Sequence, residues 1–152
     1  LSKTIHEFSS AYYSSQSRRL KNIERMVRPA DFVLIARYNF KVAFFYEFQN
    51  QASRALRHYK QSYVSLIDMM DHCDDDMLDQ IKSVAEMVNF KICSNMLLTG
   101  VAKDASAQFR SHINHFSSAF SGRPWRHYAW IAEQYIIYAD MLTRYNINST
   151  FT

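Results

Sequence analysis

Apolar and aromatic residues return along this chain at the three-to-four-residue period of helices that pack through one face. Six helical segments are predicted. In the first, Ile5, Phe8, Tyr12, Leu20 and Ile23 mark one face, and the segment should close before Pro29, because proline disfavours helical geometry in the residue ahead of it. Pro29 suits the opening turn of a second helix that runs to about Asn50, with Asp31 at the positive end of the helix dipole and Ile35, Tyr38, Val42, Phe45 and Phe48 as its stripe. The third, from about Ala52 to Met70, shows Ala52, Ala55, Tyr59, Tyr63, Leu66, Ile67 and Met70. It ends in the acidic corner Asp71-His72-Cys73-Asp74-Asp75-Asp76, whose short polar side chains favour a turn or a cap. Helix four carries Met77, Ile81, Val84, Ala85, Val88, Ile92 and Met96, and Gly100 is its expected left-handed terminator. Helix five shows Ala102, Ala105, Phe109, Ile113, Phe116 and Phe120. Gly122-Arg123-Pro124 then separates it from helix six, with Tyr128, Ile131, Tyr135, Tyr138 and Leu142.

The stripes repeat. Asn39-Phe40-Lys41 returns as Asn89-Phe90-Lys91, and the same offset pairs Val42 with Ile92, Ala55 with Ala105, Tyr59 with Phe109 and Tyr63 with Ile113. Carried once more, it aligns Ile35 with Ala85 and Tyr135, Tyr38 with Val88 and Tyr138, and Val42 with Ile92 and Leu142. Such self-similarity implies stacked helical pairs. A small residue followed four positions on by a ring, as in Ala55-Tyr59 and Ala105-Phe109, lets two helices approach and fills the gap beside them. The expected fold is therefore all-α, an α-solenoid of about six long antiparallel helices arranged as lengthened tetratricopeptide-like hairpins. Helices two and three form one unit and four and five the next. Helices one and six read as half-units, so both ends should be open and apolar.

Composition narrows the class. Hydrophobic residues are 48% and aromatics 15% of 152, which excludes disorder from low hydrophobicity. Two glycines and two prolines leave too little turn chemistry for an all-β fold of many short strands. Two cysteines, Cys73 and Cys93, with no C-x-x-C pairing, suggest free thiols in a reducing compartment. The opening on Leu1 and the lack of a signal-like or membrane-spanning stretch suggest part of a longer cytosolic protein. Asn148-Ser149-Thr150 is a formal glycosylation acceptor, relevant only in a secreted chain.

Candidate chemistry is sparse. His112 and His115 stand three apart on one helix but lack the Glu of an H-E-x-x-H motif, and read as an exposed or partner-facing pair. The corner at 71 to 76 lacks the spacing of a calcium loop. Asp68 and Asp71 have no nucleophile or second base at motif spacing, and two glycines cannot build a phosphate cradle. No catalytic, cofactor-binding or metal residue is assigned. Net charge is +4 with both signs interspersed. Arg18, Arg19, Lys21, Arg25 and Arg28, with Arg54, Arg57, His58 and Lys60, lie beside apolar stripes, where a solvated helix keeps its charges. Weak contact with an anionic membrane surface fits them better than nucleic acid, and no nucleic-acid partner is expected. Trp125 and Trp130, with Arg54, Arg57 and Lys60, are the candidate partner-facing residues. The candidate repeat-packing residues are Tyr38, Ala55, Tyr59, Tyr63, Val88, Ala105, Phe109, Ile113 and Tyr138.

Longer stretches carry a family likeness. Tyr38-Asn39-Phe40-Lys41-Val42-Ala43-Phe44-Phe45-Tyr46-Glu47 and Ala55-Leu56-Arg57-His58-Tyr59-Lys60-Gln61-Ser62-Tyr63 resemble the foie gras domain, which the TRAPP vesicle-tethering complex carries in its eleventh subunit. The likeness continues through Leu1-Ser2-Lys3-Thr4-Ile5, Ala11-Tyr12-Tyr13, Val88-Asn89-Phe90-Lys91-Ile92-Cys93, Ala107-Gln108-Phe109-Arg110-Ser111-His112-Ile113 and Ala129-Trp130-Ile131-Ala132-Glu133-Gln134-Tyr135. It implies an architectural segment of a large cytosolic subunit acting between the endoplasmic reticulum and the Golgi. The expected partners are other TRAPP subunits. Rab-type GTPases would be reached only through the complex, and the resemblance carries over no catalytic residue.

Overall fold

The computed structural model describes residues 2–24, 31–117 and 124–145. They form six helices and no strand: α1 Ser2–Glu24, α2 Phe32–Phe48, α3 Ala52–Met70, α4 Asp75–Leu98, α5 Ala102–His115 and α6 Pro124–Arg144. The element count and class are those expected. Two boundaries move inward. Helix α2 begins at Phe32 with Asp31 as its N-cap, and α5 stops at His115 with Phe116 as its C-cap. Pro29, Phe120, Gly122, Arg123 and the Asn148 acceptor lie outside the described residues.

The chain divides into two compact units, Leu1–Val88 and Asn89–Thr152, the boundary falling inside α4. In the first, α2 and α3 are an antiparallel hairpin. Ser62 Oγ donates to the Ala36 carbonyl at 2.8 Å, and Tyr59 Oη donates to Glu47 Oε2 at 2.8 Å, so later α3 residues meet earlier α2 residues. Helix α1 runs against α2 through Tyr13, whose ring stacks on Phe45 and Phe48 at 5.8 and 5.0 Å. The residues that read as its packing stripe, Ile5, Phe8 and Tyr12, are exposed instead, while Ser17 on the other side is buried.

In the second unit, the end of α4, α5 and α6 share a core of Cys93, Phe109, Ile113 and Tyr138, with Phe90, Trp130, Ile131, Met141 and Leu142 packed around it. Phe109 stacks flat on Tyr138 at 4.3 Å and meets Tyr135 edge-on at 5.1 Å. Offset-stacked and T-shaped pairs of this kind add about 1 kcal/mol each beyond their burial.

The two hairpin corners repeat atom for atom. At the end of α2, Asn50 N–H donates to the Glu47 carbonyl and Gln51 N–H to the Tyr46 carbonyl, at 2.9 and 3.0 Å. Fifty residues on, Gly100 donates to Leu97 and Val101 to Met96, at 3.1 and 3.0 Å. Both are Schellman closures, which need a left-handed residue at the turn. Asn50 has φ 53° and Gly100 φ 78°. The next helix starts at once from Gln51 and Val101, both with φ −102° and ψ of 61° and 59°.

Candidate functional site

The packing positions come first, because they decide which surfaces are left to meet anything else. Ala55, Tyr59, Tyr63, Val88, Ala105, Phe109, Ile113 and Tyr138 are all buried, and Tyr38 is half-buried. One further residue holds each hairpin and escaped the apolar pattern because it is polar. Asn39 and Asn89 are 1% and 0% exposed. The Asn39 amide donates to the Ile35 carbonyl at 3.1 Å, which turns its Oδ1 toward His58 Nδ1 at 2.8 Å. In the second unit Gln108 Nε2 donates to Asn89 Oδ1 at 3.1 Å. The signal was present in sequence as the recurrence of Asn-Phe-Lys, but nothing there distinguished a buried amide from a solvated one.

Because Asn39 Oδ1 can only accept, Nδ1 of His58 carries the proton. Its Nε2 is buried with no hydrogen-bond partner. Burial therefore holds the imidazole well below its ordinary pKa, at about 4, with help from the nearby Lys21 and Arg57 charges. Burial and the bond to Glu47 raise the Tyr59 phenol. Burial likewise pushes the Cys93 thiol up to about 12, and its Sγ lies 3.6 Å from the Ala105 carbonyl. Both cysteines are free thiols. Lys82 is buried, which lowers its ammonium to about 8 against the pull of Asp79 and Glu86.

Among the candidate partner-facing residues the two tryptophans separate. Trp125 is 65% exposed at the start of α6. Trp130 is half-buried, tilted against His112 at 5.8 Å, edge-on to Phe116 at 6.4 Å and stacked on His127 at 6.0 Å. Arg54, Arg57 and Lys60 are exposed along α3, where a shallow depression lies between Ser53, Leu56, Arg57, Lys60, Gln61 and Val64. Arg54 also donates to Gln51 Oε1 at 2.9 Å and covers the Tyr46 ring at 5.8 Å, while Lys21 donates to Tyr46 Oη at 2.9 Å.

The histidine pair is not a pair. His112 is fully buried beside Phe116, and only His115 reaches solvent, where its Nδ1 sits 2.8 Å from the Ser111 carbonyl. The stripe Phe109, Ile113 and Phe116 carries His112 inward with it. At the acidic corner Asp74 caps α4, its Oδ1 accepting the Met77 N–H at 2.9 Å, and His72 stacks on Phe32 at 6.3 Å. No group of three or more His, Cys, Asp and Glu side chains among the described residues is placed to hold a metal ion. No described helix is long and apolar enough to cross a membrane.

These features define a protein whose described residues are helical throughout their regular elements, with buried contacts such as Ser62 to the Ala36 carbonyl and Cys93 to the Ala105 carbonyl joining one helix to the next. The chain belongs to the foie gras family: residues 77–152 match the family described as Foie gras liver health family 1. Its relatives include proteins named trafficking protein particle complex subunit 11 from Gallus gallus, 29% identical over 144 residues, and from Bos taurus and Homo sapiens, each 28% identical over the same length. Each comparison covers 93% of this chain and 12% of the relative, so the chain spans about an eighth of the proteins it matches.

Proposed function

We propose that this chain is a non-catalytic scaffold segment of a TRAPP-type vesicle-tethering complex in transport between the endoplasmic reticulum and the Golgi. The observation that carries the reading is the helix corner repeated at a fifty-residue offset, in a chain whose relatives are named as trafficking protein particle complex subunits. Identical corners give successive helical pairs the same geometry, and pairs of like geometry stack into a solenoid of lengthened hairpins. Residues 1–152 form one helical-repeat domain of that kind within a larger subunit. Its partners are other subunits of the complex, and a Rab-type GTPase is met only through them. The segment works in the cytoplasm, peripheral to Golgi and intermediate membranes.

Recovery of the whole protein from cells should bring other tethering subunits with it. Trp125→Ala should weaken that recovery without changing helix content. Trp130→Ala should weaken it too, and should lower the melting temperature because Trp130 packs internally. A folded protein that recovers no tethering subunit overturns the proposal.

The exposed cations support a second reading, a module that recognises anionic lipid. Arg18 and Arg19 are exposed on α1, Arg54, Arg57 and Lys60 on α3, and Lys21 and Arg54 converge at Tyr46. Each cation near an anionic surface contributes about 1 kcal/mol. This reading requires salt-sensitive sedimentation with phosphatidylserine liposomes, and co-purification without such binding rejects it.

A further inference from the structure

The first unit contains an apolar groove that the packing just described does not fill. It encloses about 380 Å³ between α2, α3 and the first half of α4. Ala36, Leu66 and Ile81 lie buried along it, and the exposed Val33, Val84 and Met87 edge it. Large apolar side chains left at a concave surface are uncommon unless something covers them.

The charges on the groove select the occupant. Arg37 and Lys41 both line it and both are exposed, and no Asp or Glu shares the lining. Neither cation makes an ion pair or hydrogen bond with another described residue. They stand four residues apart on α2, so they are one helical turn, roughly 6 Å, apart along one wall. A fatty acyl chain brings a single anionic head and would satisfy one of them. A helix with acidic residues one turn apart satisfies both, and its apolar face matches side chains already spaced at helical intervals on α4.

We infer that this groove docks an acidic amphipathic helix, about three turns long, supplied by a protein partner. The inference rests on the scaffold reading, since it names how such a segment would grip a neighbour.

The test places benzoylphenylalanine, a photocrosslinking side chain, at Met87 in the protein as the cell makes it, and sequences the adducts. Adducts should map to a partner segment with apolar residues at helical spacing and at least two Asp or Glu residues one turn apart. Arg37→Glu with Lys41→Glu should cut adduct yield roughly tenfold, because like charges now face each other. The exchange Arg37→Lys with Lys41→Arg should keep it. Circular dichroism checks that these surface variants remain folded. Adducts to lipid, to a second copy of this chain or to a segment without acids overturn the inference, as does a yield indifferent to charge reversal or the absence of adducts. Co-purification of tethering subunits is scored in the same cells. If subunits persist without groove adducts, only the groove inference fails. If acidic-helix adducts form and no tethering subunit is recovered, only the scaffold reading fails.

Discussion

Asn39 Oδ1 lies 2.8 Å from Nδ1 of His58, the amide on α2 and the imidazole on α3, and the same amide is tied back to its own helix through the Ile35 carbonyl. Fifty residues later the cross-helix half of this clamp returns, with Gln108 Nε2 donating to Asn89 Oδ1, while Asn89 Nδ2 is buried without the tie back to its own helix. The partner changes from an ionisable ring to a neutral amide, and that difference has a pH signature.

His58 is neutral in the fold, with a pKa near 4 against an ordinary 6.5. Between those values the unfolded chain binds a proton that the folded chain does not. Stability from this group is therefore complete above about pH 6.5 and is lost as pH falls from there toward 4. His58→Gln copies the second clamp and should flatten that acid-side loss while keeping the melting temperature near neutral pH. Thermal melts between pH 4 and 8 decide the matter, and an unchanged slope would reject the assignment.

Asn39→Ala removes the acceptor and leaves a buried imidazole N–H without a partner. The expected loss is about 2 kcal/mol, within the range for an orphaned buried donor. Ser83→Ala, on an exposed stretch of α4, should change stability by less than about 0.5 kcal/mol. Urea unfolding of the two variants gives the contrast.

The left-handed corner predicts an order of substitutions. A Cβ at Gly100 would meet nothing within 4 Å, so the penalty there is purely one of backbone conformation. Gly100→Ala should cost about 1 kcal/mol. Gly100→Asn should cost less, because the equivalent corner already holds Asn50 at φ 53°. Denaturant midpoints that rank Ala above Asn would contradict this.

Tyr59 and Phe109 occupy equivalent places with different needs. Tyr59 donates to Glu47, whereas the residue fifty positions after Glu47 is Leu97, which is buried. Phe109→Tyr should therefore destabilise by about 1 to 3 kcal/mol through a hydroxyl facing an apolar neighbour. Tyr59→Phe should lose about 1 kcal/mol. Calorimetry that found Phe109→Tyr neutral would show that the two environments are not as described.

The thiols should also differ in reactivity. Cys93 is fully buried and its thiol is pushed up to about 12, while Cys73 is half-buried at the corner before α4. Iodoacetamide at pH 8 should label Cys73 and spare Cys93 until the protein unfolds. Peptide mass spectrometry reads the two sites separately.

Much of this was legible in the chain. Helix number, the all-α class and the fifty-residue register follow from periodicity, because burial of one helix face requires apolar residues at 3.6-residue spacing whatever the neighbours are. Gly100 as a left-handed stop was readable because few residues tolerate that conformation. Periodicity marks an apolar face without saying what covers it. On α1 the stripe of Ile5, Phe8 and Tyr12 is exposed while Tyr13 makes the contact with α2. On α6 the expected stripe is split, with Tyr128 and Tyr135 exposed and Gln134 fully buried between them.

Sequence by itself determined the helices, their repeat and the family likeness, since these depend on local conformation and on residues near one another in the chain. Tertiary structure alone decided that His112 is core and His115 surface, that Asn39 and Asn89 are clamps, and that Arg37 and Lys41 overlook an apolar groove. Those outcomes depend on which face of each helix meets a neighbour, and that choice is made by packing between segments far apart in the chain, beyond what helical spacing can encode.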